Sequence, residues 1–333
     1  MASTYRTSRT LVSAQQRGKG PSWWTRLWRS ESFKGYLYIS PWILGFLLFG
    51  IWPLLNLFYD SLTKYTLFGS PQWIGLENYV QIFTKDPVFR TACLNMLIYV
   101  IAATAIYITG GMLLALALQR HFPGNHIFRI IFYVPSLLVG VATGILFKQV
   151  FASGENGLAN VFLSIFHIPA INWLQDINHP IFAVVALVLV NIWFMGGTML
   201  IFIAGLKGIS PTYYEAAQID GASKWHIFWS VTLPLLSPVV VFNTIMALIA
   251  NIQVFQTVVV FASTETSSAT GGTGNPLGFH SNLATFLPYI YVQAFLYDNF
   301  GYAAALSVIV FFISLLLALI VLTSARFTYF GDQ

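Results

Sequence analysis

The chain has 333 residues, of which 57% are hydrophobic and 8% charged, with a mean hydropathy of +0.72. Soluble domains carry about 25% charged residues, and no core hides this much apolar surface from water, so lipid must solvate part of it. The formal charge is +5, and the single cysteine, Cys93, excludes an internal disulfide and any cysteine-based metal or redox motif.

Seven of the sixteen Lys and Arg residues precede the first apolar run: Arg6, Arg9, Arg17, Lys19, Arg26, Arg29 and Lys34. Trp23, Trp24 and Trp28 are interleaved with the last of them, a composition suited to anionic headgroups and the interfacial belt. The first apolar stretch outruns the core of a signal peptide and lacks a small-residue cleavage site after it. Six segments have the ~20 apolar residues that cross hydrocarbon. They are 36–59, one within 91–119, 130–147, one between 181 and 206, one between 238 and 262, and one between 302 and 325. Pro41, Pro53 and Pro135 are expected to kink or start their spans. This pattern predicts an all-α, polytopic membrane protein with six transmembrane helices.

Twelve positive charges fall on one side when the N-terminus is inside: the seven above, then Arg120, Arg129, Lys207, Lys224 and Arg326. The other side carries Lys64, Lys85 and Arg90, with Lys148 at an interface, so both termini are expected in the cytoplasm. The expected organisation is a basic cytoplasmic segment (1–35), a transmembrane domain (36–326) and a short cytoplasmic tail (327–333). The outer connections 61–90, 149–180 and 263–301 read as docking or lid segments.

The predicted span cores contain no Asp, Glu, Lys or Arg, which weakens a proton-coupled carrier. There is no phosphate-cradling G-x-x-x-x-G-K-[ST] loop, no catalytic constellation and no metal-like His pair; His121 and His126 read as solvated loop residues. The chain is therefore expected to be non-catalytic, to bind no cofactor, and to draw any energy for uphill movement from a partner.

Between the fourth and fifth spans lies SPTYYEAAQIDGASKWHIFWSVTLP, residues 210–234. Ser210 with Pro211 starts a helix, Asp220-Gly221 breaks it, and Ser223 caps a second helix expected to stop before Pro234. The small residues Ala216, Ala217, Gly221 and Ala222 sit at the elbow. Glu215, Ala216, Ala217, Asp220, Gly221 and Ala222, followed by Leu233-Pro234, resemble the EAA loop of binding-protein-dependent ABC importer permeases. Gly75-Leu76-Glu77-Asn78-Tyr79 is similar to the G-L-x-N-Y signature of the carbohydrate-type members, the maltose- and glycerol-phosphate-type first subunits. Phe128-Arg129, Trp173-Leu174, Ala204-Gly205-Leu206 and Gly301–Ala305 also fit. In place of the family's compact G-G-P the chain has a longer insert, Gly271–Pro276. The resemblance implies a type I ABC importer permease fold in a bacterial inner membrane. It implies four partners: a second homologous permease, two ATPase subunits that carry ATP and Mg, and a soluble extracytoplasmic solute-binding protein. The loop 210–234 would then couple the spans to the ATPase.

Span five is unusually polar, with Asn243, Thr244, Asn251, Gln253, Gln256 and Thr257; span four adds Asn191 beside Trp193. These amides either hydrogen-bond helices together or line a water-filled path. The resemblance places substrate contacts in these two helices, and Asn191, Trp193, Asn251, Gln253 and Thr244 are the candidates. Neutral amides with Trp and Tyr suit a sugar or oligosaccharide. The alternatives are an ion-coupled secondary carrier for a small polar solute and a membrane-embedded glycan-processing enzyme. The latter would need paired acids, and Asp176 and Asp298 lie in separate loops.

Overall fold

A computed structural model describes residues 31–120, 122–138, 140–176, 178–263, 277–278 and 281–324. The expected N-terminal segment through residue 30, His121, the Gly271–Pro276 insert and the tail after Ser324 lie outside the described residues. The chain divides into two compact units, Met1–Asn56 and Leu57–Gln333.

The first span is helical from α1 (Glu31–Phe46) through a wide turn at Leu47–Ile51 into α2 (Trp52–Ser61). Pro41 lies inside α1 without ending it. Proline cannot donate to the carbonyl four residues back, and the Ser40 hydroxyl donates to that carbonyl, Leu37 O, at 2.8 Å. A short hairpin follows, β1 (Thr63–Lys64) antiparallel to β2 (Gln72–Trp73). The remaining helices are α3 (Glu77–Lys85), α4 (Pro87–Leu118), α5 (Asn125–Tyr133), α6 (Gly140–Val150), α7 (Leu158–Ile165), α8 (Ile181–Gly208), α9 (Pro211–Ile219), α10 (Lys224–Ile227), α11 (Leu233–Ile252), α12 (Gln256–Ala262), α13 (Phe286–Tyr291) and α14 (Phe300–Ser324).

Among the described residues, five helical runs are long and apolar enough to cross a membrane, and six if one bent pair counts as a span. That pair corrects the expected third span, 130–147. The chain runs through α5 and a tight turn at Val134–Leu137, then turns by 99° into α6. Pro135, inside that tight turn, removes a backbone donor just ahead of the bend. The expected fifth span, 238–262, is also corrected. It begins earlier, because the run Lys224–Ala262 carries the elbow's second helix into the membrane span, and its regular winding is interrupted between Ile252 and Gln256. The second helix of the elbow does not stop before Pro234. A wide turn at Phe228–Thr232 leads into α11, which takes Pro234 in its first turn, where a missing N–H is tolerated. Pro238 is then covered as Pro41 is: the Ser237 hydroxyl donates to Pro234 O at 2.6 Å. In lipid, such replacement donors make an interior proline tolerable.

The core lies where α4 and α8 pack side by side, joined by α11 and α14. Glycines set this closeness. A Cβ on Gly111 would lie 2.9 Å from Thr198, and one on Gly196 would lie 1.8 Å from the Phe132 carbonyl oxygen. The half-helices α6 and α12, each following a break, pack on one another, with Val260 3.1 Å from a Cβ on Gly144.

Candidate functional site: a neutral cavity and an exposed elbow

A cavity of about 490 Å³ opens between α4, α8 and α11. Its polar lining is Tyr99, Tyr107, Asn191, Asn243, Asn251 and Thr257, and its lining includes no charged residue. Asn191 and Asn251 are each 8% exposed. The Asn191 amide donates to the Tyr99 hydroxyl at 3.2 Å and to Leu187 O at 3.3 Å. The Asn251 amide donates to Thr104 Oγ1 at 3.0 Å. Each therefore ties its helix to α4 and also presents a face to the cavity, so the packing and lining roles coincide in one side chain.

Three other candidates lie elsewhere. Thr244 bonds back to Val240 O at 2.7 Å and is outside the lining. Trp193 stands edge-on to Phe147, centroids 5.5 Å apart, and its buried indole N–H has no hydrogen-bond partner among the described residues. Gln253 sits exposed in the interruption between α11 and α12. Sequence reasoning missed Tyr99 and Tyr107. Their signal was a tyrosine pair eight apart, about 2.2 turns and so within one broad helix face, in a charge-free run.

The elbow is an exposed, doubly capped unit. Ser210 Oγ accepts from Thr212 N at 3.4 Å and Ser223 Oγ accepts from His226 N at 3.3 Å. Gly221 closes α9 with φ +74°. Its N–H donates to Gln218 O and the Ala222 N–H to Ala217 O, both at 3.0 Å, which is the paired bonding of a Schellman cap. Glu215, Ala216, Asp220 and Gly221 are exposed, and Ala217 and Ala222 are partly so. Ile219 and Trp225 stand out at 86% and 72% exposure. None of them lines the cavity between α4, α8 and α11; the elbow offers an exposed surface.

At the opposite end of the spans, the G-L-E-N-Y segment is a clamp. Gly75 takes φ +62°, Asn78 donates to Ser61 O at 2.9 Å and Thr63 O at 3.0 Å, and the Tyr79 hydroxyl donates to Ser61 Oγ at 2.8 Å. Asp86 caps α4, accepting from Phe89 N at 2.9 Å, and its other oxygen accepts from the Tyr289 and Tyr302 hydroxyls. Burial and then the adjacent Asp86 carboxylate push the Tyr289 phenol well above its usual range. Asn160 accepts from Ile171 N and Trp173 Nε1, both at 3.0 Å, and donates to Gly154 O and Ile171 O.

The model of the family described as "Binding-protein-dependent transport system inner membrane component" matches residues 107–328, which include the end of α4, the cavity helices α8 and α11, and the elbow. The chain belongs to that family. As a member it is 33% identical over 301 residues to the probable ABC transporter permease protein YesP of Bacillus subtilis (strain 168), across 90% of this chain and 92% of that protein. It is 32% identical over 303 residues to the lactose transport system permease protein LacF of Rhizobium radiobacter, across 90% and 96%. The same permease fold occurs in a crystallised bacterial ABC transporter involved in the import of the acidic polysaccharide alginate. There the TM-score is 0.73 at 22% identity, over 91% of this chain and 98% of that one. The resemblance read from the elbow and the G-L-E-N-Y segment is thus borne out, and the multi-pass permease architecture with it.

Proposed function

We propose that this permease forms half of the path by which a neutral sugar or oligosaccharide enters the cytoplasm of a bacterium. The cavity carries the reading: amide and phenol groups that bond hydroxyls, beside Phe194 and Phe242, with no ionised group in the lining. Such a lining matches a solute with many hydroxyls and little charge. Names among the relatives support it, including the arabinooligosaccharides permease AraP of Bacillus subtilis (strain 168), 30% identical over 90% of this chain. Asn191 and Asn251 are assigned to the solute path, while Trp193, Thr244 and Gln253 line no part of this cavity.

The chain itself is non-catalytic. A second, homologous permease closes the open side of the path, two ATPase subunits bind ATP and Mg, and a soluble binding protein delivers solute outside. Both termini lie in the cytoplasm, which places the elbow against the ATPases and the clamp outside the inner membrane. Glu215 and Gly221, with Ala216, Ala217, Asp220 and Ala222, make the docking contact. Nucleotide favours one arrangement of the ATPase pair, and the elbow passes that bias to the spans as a rigid-body movement.

The test is uptake of labelled lactose and arabinotriose by proteoliposomes holding the complete transporter and its binding protein. ATP should drive uptake, and an ion gradient alone should not. Replacing both Asn191 and Asn251 by leucine should lower uptake at least about tenfold, since each lost amide contact is worth about 1 kcal/mol, with the ATPases still bound. Glu215→Lys should instead release the ATPases. Gradient-driven uptake without ATP would refute the reading.

A further inference from the structure

Helix α3 (Glu77–Lys85) is held against the protein on one side only. At 100° per residue the helix and its N-cap residue Leu76 present three faces. Asn78 and Ile82 are buried. Glu77, Gln81 and Lys85 border a polar pocket of about 520 Å³. Leu76, Val80 and Phe83 share the remaining sector and are 66%, 55% and 62% exposed. An apolar stripe this exposed needs a covering.

Its position says which. The helix is far too short to cross a bilayer, yet it is tethered at both ends to spans, following the end of α2 at Ser61 and preceding α4 at Pro87. The Asn78 clamp on Ser61 O and Thr63 O holds its start at the level where the first span ends. Phe83 stands edge-on to Phe89 in the first turn of α4, centroids 5.6 Å apart. Farther along α4, Leu94, Leu97 and Ile101 form an exposed stripe at 58%, 59% and 61%, the surface that a span turns to lipid. Arg90 is exposed and heads that stripe at the same helical angle. Trp73, 62% exposed, lies against Tyr59 at 5.8 Å, an aromatic pair suited to the headgroup level. Lys85 ends α3, where a cation also complements the helix dipole. Of the nearby acids, Asp86 is occupied by its three donors and Glu77 faces the pocket.

We propose that α3 is an interfacial anchor: its Leu76–Val80–Phe83 stripe rests in the headgroup and upper acyl layer, and Arg90, at the head of the exposed α4 stripe, binds the phosphates of anionic lipid, while Lys85 stays on the pocket face. The lipid surface thereby fixes one wall of the polar pocket on the helix's other side. The leaflet concerned is the outer one on the orientation proposed above; lipid contact itself does not depend on that orientation.

The experiment uses the complete transporter in nanodiscs of phosphatidylcholine with phosphatidylglycerol, on a Cys93→Ala background. A fluorophore is placed at Val80→Cys or, as a control, at Gln81→Cys. A nitroxide carried high on the lipid chain should quench the Val80 label strongly, and aqueous iodide should quench it weakly; the Gln81 label should show the reverse. Nitroxide-phosphatidylglycerol should quench Val80 better than nitroxide-phosphatidylcholine. Arg90→Gln should cut that preference about fivefold, the equivalent of about 1 kcal/mol, and Lys85→Gln, on the pocket face, should leave it unchanged. Iodide access at Val80 equal to that at Gln81 would overturn the proposal. So would shielding of Val80 that appears only when a binding protein is added, which would make the stripe a protein-docking face. An unchanged lipid preference in Arg90→Gln would overturn the assignment of anionic phosphate. None of these readouts uses transport, so failure of the sugar assignment would leave them unaffected.

Discussion

Gly196 and Gly197 are adjacent in α8, yet alanine should be rejected at one and accepted at the other. A Cβ on Gly196 would sit 1.8 Å from the Phe132 carbonyl oxygen and 2.9 Å from the Tyr133 Cα. These are backbone atoms and cannot rotate aside. A carbon–oxygen contact rests at about 3.3–3.6 Å, so α5 and α8 must part by about 1.5 Å. At Gly197 the nearest atoms are Ser136 Oγ and Tyr107 Oη, both 3.8 Å away, which is ordinary contact. Both substitutions gain the same helix propensity, about 1 kcal/mol, so it cancels in their difference. What remains is the overpacking penalty, about 1–3 kcal/mol. Gly196→Ala should therefore have a folded-to-unfolded ratio roughly 5- to 150-fold below that of Gly197→Ala. Denaturant titration of the two variants in one detergent measures this directly. Equal midpoints, to within about 0.5 kcal/mol, would refute the claim that backbone contact sets the α5–α8 distance.

Three further outcomes are expected. Asn160→Ala should leave the Ile171 N–H and the Trp173 indole N–H without their acceptor, at about 1–3 kcal/mol each. The measurement is faster proteolytic cutting between Gly154 and Asn172 in the folded complex, and an unchanged cutting rate would contradict the hub role. Gly221→Ala must hold an L side chain at φ +74°, at about 1–2 kcal/mol. Amide exchange at residues 221 and 222 should quicken by roughly 5- to 30-fold, and ATPase stimulation by loaded binding protein should fall. Gly301→Ala should fail to assemble the Asn78 clamp, because its Cβ would meet Thr63 O at 2.1 Å; normal reactivity of a label at Lys64 would show otherwise.

Much of the architecture was legible because lipid is a demanding solvent. Charge-free runs of sufficient length must be helices, and the caps of the elbow are local: Ser210, Gly221 and Ser223 act on neighbours within five residues. The candidate site was legible only in part. Asn191 and Asn251 stood out as amides in apolar spans, but Thr244 and Gln253 look equally polar in one dimension. Whether a span polar group meets a cavity, its own helix or a turn depends on helix rotation and on where the winding breaks. Among α11 residues, Thr244 satisfies itself on Val240 O, while Asn251 reaches across to Thr104.

The amino-acid order by itself determined the membrane class, the number of apolar segments and the position of the elbow. Each follows from interactions with solvent or with near neighbours. Tertiary structure alone decided that the third segment turns by 99°, that Pro234 continues a helix, and that Tyr99 and Tyr107 face the cavity. Those outcomes rest on contacts between residues far apart in sequence, such as Gly196 on Phe132 and Asn191 on Tyr99, where close packing leaves one arrangement without a clash or an unpaired polar group.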